Sequence, residues 1–187
     1  MSKIGVFLAE GFEEIEGLTV VDILRRANIE TVTIAIGGKR QVMGSHGIHV
    51  VADCVYEDMA FEELTGIVLP GGMPGTTHLK EHAGVVARVQ EFARAGKLVA
   101  AICAAPSVLG FAGVLEGKCA TCYPGFEDQM NGAEPKDDGV VCDGNIITGR
   151  GMGAAIPFAL ALTAYLTSRE EAEEIGRSIQ YTGALYE

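Results

Sequence analysis

Short apolar runs alternate with longer amphipathic segments along nearly the whole chain, and this alternation constrains the fold more than any other feature. "KIGVFLA", "TVTIAI", "GIVLP" and "LVAAIC" read as strands. "EEIEGLTVVDILRRAN" has helical spacing at Ile15, Leu18, Val21 and Leu24. "HAGVVARVQEFARAGK" places Val85, Val89 and Phe92 on one helical face. Strands that take turns with helices predict a parallel sheet covered on both faces, with right-handed crossovers. "QVMGSHGIHVVAD" and "GVVCDGNIITG" read as hairpins, the second turning at Asp143-Gly144. "AAPSVLGFAGVL" reads as a helix, and two more helices close the chain. The class is α/β, a single domain over residues 1–187.

Composition narrows the partners. A net charge of −11 repels phosphate backbones and argues against nucleic acid. The apolar stretch 151–168 contains Gly, Pro and Thr and reads as a buried helix, so no membrane span is expected. The apolar run near the N-terminus is too short for a signal peptide, which makes the cytosol the expected compartment. Its reducing conditions disfavour disulfides among Cys54, Cys103, Cys119, Cys122 and Cys142.

In parallel sheets ligands bind at the carboxyl ends of the strands. That edge gathers loops 10–16, 70–75, 103–106 and 150–153. Cys103 stands where "LVAAI" turns directly into "AAPSVLG". One reading is a small buried thiol. The other is a nucleophile on a strained turn, its thiol made more acidic by the following helix N-terminus. Glu16 is one of four acids in "EGFEEIE", a run that favours a helix start. Its place between Ile15 and Leu18 turns it partly inward, where burial favours the protonated form and allows acid–base work beside Cys103. The N–H groups of "LPGGMPG", from Gly71 and Gly72, together with that of Ala104, form a candidate oxyanion site.

Other signals are weaker. Cys119 and Cys122 form a C-x-x-C pair in an extended setting, with no second pair at zinc spacing. Cys122 could instead resolve an oxidised Cys103. "GRGMGA" lacks the context of a dinucleotide fingerprint. His46 follows turn glycines and either reaches the site or stays at the surface. His49, His78 and His82 show no partner spacing.

"LAEGFEEIE", "VLPGGMPG", "AAICAAPSVLG" and "TGRGMGA", in this order, resemble the ThiJ/PfpI family of the class I glutamine amidotransferase-like superfamily, in its DJ-one branch of small members. The resemblance implies a flavodoxin-like three-layer sandwich with a mostly parallel central sheet, and a homodimer. It implies Cys103 as nucleophile, Glu16 as the protonated carboxyl beside it, and Gly72 and Ala104 as backbone donors. Arg26 and His46 are implied near a dimer-facing rim. Two residues depart from the family pattern. Ala104 stands where protease-like relatives carry a histidine, and Tyr123 stands where other members carry a histidine on a nearby loop. The implied activity is a glyoxalase or deglycase on small reactive carbonyls, with no metal or other cofactor. The rivals are an oxidative-stress sensor or chaperone-like protein acting through Cys103, and a cysteine peptidase or amidase.

Overall fold

The computed structural model describes residues 2–183. The elements run β1 (Lys3–Leu8), α1 (Glu14–Arg26), β2 (Glu30–Ala35), β3 (Gln41–Met43), β4 (His49–Val51), β5 (Cys54–Val55), β6 (Gly66–Leu69), α2 (Gly75–Glu81) and α3 (Ala83–Arg94). They continue with β7 (Leu98–Ile102), α4 (Pro106–Phe111), β8 (Cys119–Ala120), β9 (Glu134–Pro135), β10 (Val140–Asp143), β11 (Ile146–Gly149), α5 (Ala155–Leu166) and α6 (Arg169–Ser178).

Seven strands form the central sheet in the order β10-β11-β7-β6-β1-β2-β5. Every neighbouring pair is parallel except β10 with β11. The mostly parallel flavodoxin-like sandwich is therefore observed. β3 and β4 form the expected antiparallel hairpin outside this sheet.

The period of two along each strand divides the core. Ile4, Val6 and Leu8, with Leu98, Ala100 and Ile102, face Val20, Leu24 and Phe158 from α1 and α5. Phe7, with Val99 and Ala101, faces Val85, Val89, Phe92 and Val108 from α3 and α4. Strands buried on both faces need apolar residues at nearly every position, which explains the unbroken runs in the sequence. Among the described residues no helix is long and apolar enough to cross a membrane.

Two expectations need correction. Ile15 and Leu18 are exposed, at 50% and 37%, while Glu14, Glu16, Gly17, Val20, Val21, Ile23 and Leu24 are buried. The start of α1 is rotated from the apolar stripe because Gly17 sits tightly against Phe12 and Pro70, and because backbone donors satisfy the inward acids. The helix after Cys103 is also shorter than its composition suggests: α4 ends at Phe111, and the chain turns through Gly113 at φ +72°.

Phe158 is fully buried between α5 and the sheet. Phe158→Ala is expected to destabilise the protein by about 3–5 kcal/mol, read as a lowered urea midpoint at unchanged slope.

Candidate active site

Cys103 is the first residue beyond β7 and has φ +66°, a left-handed conformation costly for any residue with a Cβ. Its surroundings hold it there. The Cys103 N–H donates to Gly149 O at 2.9 Å, and the Cys103 carbonyl accepts the Tyr123 N–H at 2.8 Å. Ala105 N–H closes the turn onto Ile102 O at 3.1 Å. Strain of this kind costs on the order of 1–3 kcal/mol and persists only where neighbours impose it. The side chain is partly exposed.

The Glu16 side chain lies against the Cys103 thiol. Glu16 is 1% exposed. Its Oε2 accepts the Gly71 N–H at 2.9 Å, and its Oε1 is buried with no hydrogen-bond partner among the described residues. An ionised oxygen left so would forfeit about 1–3 kcal/mol. Protonation removes that cost and supplies a donor. Burial is the main reason the Glu16 carboxyl is pushed up to about 7; hydrogen bonds from Cys103 and Gly71 oppose the shift, and the charge of Glu13 adds to it.

The expectation of an acidified thiol does not hold for Cys103 taken alone. Burial, then the charge and hydrogen bond of Glu16, push the thiol up to about 12. The N–H groups of Ala104 and Gly72 pull the other way and only partly compensate. α4 has six residues and starts three positions beyond the sulfur, so its dipole adds little. The two groups therefore titrate as one coupled pair. Between its first ionisation near 7 and its second near 12, the pair holds one proton and one negative charge.

The glycines beside the pair make the approach feasible. A Cβ on Gly71 would lie 2.6 Å from Cys103 Cβ and 2.7 Å from Glu16 Oε2. Gly72 has φ +89°, and a Cβ there would lie 2.3 Å from Glu13 N. The Gly71 N–H is committed to Glu16, so it is not a free oxyanion donor; the N–H groups of Gly72 and Ala104 are the ones acting on the sulfur.

Two further acids escaped sequence reading. Glu13 is the N-cap of α1: its Oε2 accepts the Glu16 N–H at 2.7 Å and fixes the first turn that carries Glu16. The spacing Glu13-x-x-Glu16 was the available signal, obscured by the usual preference for Ser, Thr, Asp or Asn at that position. Glu14 is 2% exposed and anchors the β3–β4 hairpin. Its Oε1 accepts the N–H groups of His46 at 2.8 Å and Ile48 at 3.3 Å, and His46 Nδ1 lies 3.0 Å from its Oε2. Burial acts to raise the Glu14 carboxyl, yet these hydrogen bonds outweigh it and hold it below its ordinary value.

The remaining candidates are dispersed. His46 reaches the site only indirectly, through Glu14 at 3.0 Å and Glu13 at 3.9 Å, and its side chain is 70% exposed. Glu13, Glu14 and His46 bring potential metal-ligand atoms within 4.8 Å of one another, although Glu14 Oε1 and Glu13 Oε2 already accept backbone donors and Glu14 Oε2 is engaged by the Ser45 and His46 side chains. Arg26 lies at the far end of α1, bonded to Asp22 at 2.6 Å, because thirteen helical residues carry it to the opposite edge of the sheet. Tyr123 touches the nucleophile through its N–H, and its exposed ring stands beside Gly151. Cys122 is buried in the α3/α4 half of the core, whereas Cys103 packs against the α1/α5 half, so the two thiols open on opposite faces. Burial pushes Cys122 up to about 11. His82, read as lacking a partner, caps α3 by accepting the Val85 N–H at 3.1 Å.

A carboxyl raised from 4.5 to about 7 stabilises the fold below the lower value, and that contribution is lost as pH rises through the upper one. Thermal unfolding at pH 5 and pH 8 is expected to show wild-type stability falling by up to roughly 3 kcal/mol more than that of Glu16→Gln. Parallel pH dependence in the two proteins would show that Glu16 is not held protonated.

The model of the DJ-1/PfpI family matches residues 2–165. Protein dj-1beta of Drosophila melanogaster is 38% identical over 178 residues, covering 93% of this chain and 94% of that one. Deglycase PH1704 of Pyrococcus horikoshii is 37% identical over 151 residues, covering 79% and 89%. Oxidized DJ-1 of Toxoplasma gondii superposes with a TM-score of 0.94 at 35% identity, covering 98% of this chain and 100% of that one. With a strand-end cysteine, a buried carboxyl against it and matches along nearly its whole length, the chain belongs to the DJ-1/PfpI family.

Proposed function

We propose that the chain is a cysteine-dependent enzyme of small reactive carbonyls, a glyoxalase of 2-oxoaldehydes or a deglycase of early glycation adducts. One observation carries this reading: a thiol on a strained strand-end turn lies against a buried carboxyl while two backbone N–H groups face the sulfur. A relative at 37% identity is named a deglycase, which agrees with it.

The chemistry follows from the singly protonated pair. With the proton on Glu16 and the charge on sulfur, Cys103 adds to the aldehyde carbon and forms a C–S bond. The new alkoxide meets the N–H groups of Gly72 and Ala104 and takes the proton of Glu16. Glu16, now a carboxylate, removes the hydrogen from that carbon and returns it to the neighbouring one, while the hydroxyl proton passes to the former ketone oxygen. The oxoaldehyde thereby becomes a 2-hydroxy thioester, the aldehyde carbon oxidised and the ketone carbon reduced within one molecule. Water then cleaves the C–S bond, releasing the hydroxy acid and restoring the thiol. These steps need proton transfer and nucleophilic attack only. A deglycase would use the same attack on a carbonyl carbon masked by an amine.

The apolar residues left exposed on α1, on the β3–β4 hairpin and at the start of α5, among them Ile15, Leu18, Ile48 and Ile156, fit a surface paired with a second copy of the chain. A peptidase reading has no support in this geometry. Among the described residues no histidine contacts Cys103, and Ala104 occupies the neighbouring position.

Cys103→Ser is expected to abolish lactate formation from methylglyoxal, and Glu16→Gln to slow it by about 10²–10⁴. Undiminished turnover in Cys103→Ser would end this reading. A second reading, a redox sensor, is favoured by the unpartnered Glu16 Oε1 beside a partly exposed sulfur, a ready hydrogen-bonding group for an oxidised cysteine. Mild peroxide is then expected to add two oxygens to Cys103 ahead of Cys54, Cys119, Cys122 and Cys142, as mass spectrometry would show. Uniform oxidation of the exposed thiols, or none at Cys103, counts against it.

A further inference from the structure

A groove of about 540 Å³ beside the nucleophile takes no part in the chemistry above. Tyr123, Pro124, Arg150, Gly151, Met152 and Ala154 are among its walls. Its walls are tied to the backbone of Cys103: the Tyr123 N–H donates to Cys103 O at 2.8 Å, and the Cys103 N–H donates to the carbonyl of Gly149, the residue before Arg150, at 2.9 Å. A three-carbon oxoaldehyde would leave most of this space empty.

The lining is mostly apolar, and Arg150 is its one charged side chain. Small-molecule sites commonly have this form, an apolar wall with a few fixed polar groups that select the ligand. Arg150 is only partly engaged. Its Nη1 donates to Asp137 O and to Asp137 Oδ1, both at 2.9 Å. Its Nε–H and Nη2–H groups have no acceptor among the described residues. The Asp137 side chain is 99% exposed, so their ion pair is screened by solvent and exchanges readily. Glu127 adds a second negative charge nearby. A guanidinium fork suits a carboxylate bound through two parallel hydrogen bonds, and Asp137 uses only one arm of it. In a chain with net charge −11, a fixed cation in the groove is the feature that would admit an anion.

We propose that Arg150 is a specificity residue: the groove takes the far end of a 2-oxoaldehyde that carries a carboxylate, and Arg150 binds that carboxylate in place of Asp137. The inference rests on the carbonyl reading and names its substrate class. The solvated Asp137 side chain is the internal stand-in that the substrate displaces.

The test compares methylglyoxal with 4,5-dioxopentanoate, an oxoaldehyde bearing a carboxylate two methylenes beyond the ketone, which the same rearrangement converts with water to 2-hydroxyglutarate. The ratio of kcat/KM for 4,5-dioxopentanoate to that for methylglyoxal is expected to fall about tenfold in Arg150→Gln, mainly through KM. It is expected to recover in part in Arg150→Lys, and to rise in Asp137→Asn, which carries the test if Arg150→Gln fails to fold. An unchanged ratio in these variants overturns the proposal and leaves the carbonyl reading standing. If neither compound is turned over, the carbonyl reading fails, and protection of Cys103 from iodoacetamide by 2-hydroxyglutarate decides the anion site separately. Protection that is lost in Arg150→Gln supports it; no protection of the wild type overturns it.

Discussion

The contact between the buried Glu16 carboxyl and the Cys103 thiol sets the terms for everything around it. Two groups that each resist ionisation have been placed together, so the first charge acquired belongs to both. Much of the nearby backbone serves this contact. Gly71 lacks a side chain because one would strike both partners, and its N–H goes to Glu16. Glu13 fixes the first turn of α1, and Gly149 and Tyr123 hold Cys103 in its left-handed conformation.

That placement also explains why neither group can be understood alone. Taken singly, the thiol is too weak an acid to attack anything near neutrality, and the carboxyl is an unremarkable acid raised by burial. Above the first ionisation near 7 they retain one proton between them, and chemistry depends on which of the two holds it. Backbone donors from Gly72 and Ala104 favour charge on the sulfur, whereas the Gly71 N–H favours charge on the carboxylate. The donors at the sulfur lower the cost of moving the charge there from the carboxylate, which suits a group that must first give up a proton and then take one.

The layered fold was legible because strands buried on both faces leave long apolar runs, and Cys103 was legible because one of those runs ends at it. The start of α1 was not. Ile15 and Leu18 have the spacing of a core stripe, yet the acids turn inward, because backbone N–H groups from distant loops satisfy Glu14 and Glu16. Partners contributed from 30 or more positions away leave no trace in local periodicity. The same limit explains the thiol: its place before a helix suggested a lowered pKa, but burial and a carboxylate from another element outweigh a short helix. Arg26 lies away from Cys103 for a simpler reason, since a helix that begins at the site carries its last residue to the other edge.

β7 lies in the interior of the sheet, two strands from β10 at one edge and four from β5 at the other. Local opening in such sheets begins at the margins, where fewer hydrogen bonds must break. The nucleophile is therefore mounted on one of the parts of the molecule slowest to come apart. Gentle heating that frays the outer strands would leave its reactivity intact, and the loss of that reactivity would report collapse of the whole scaffold.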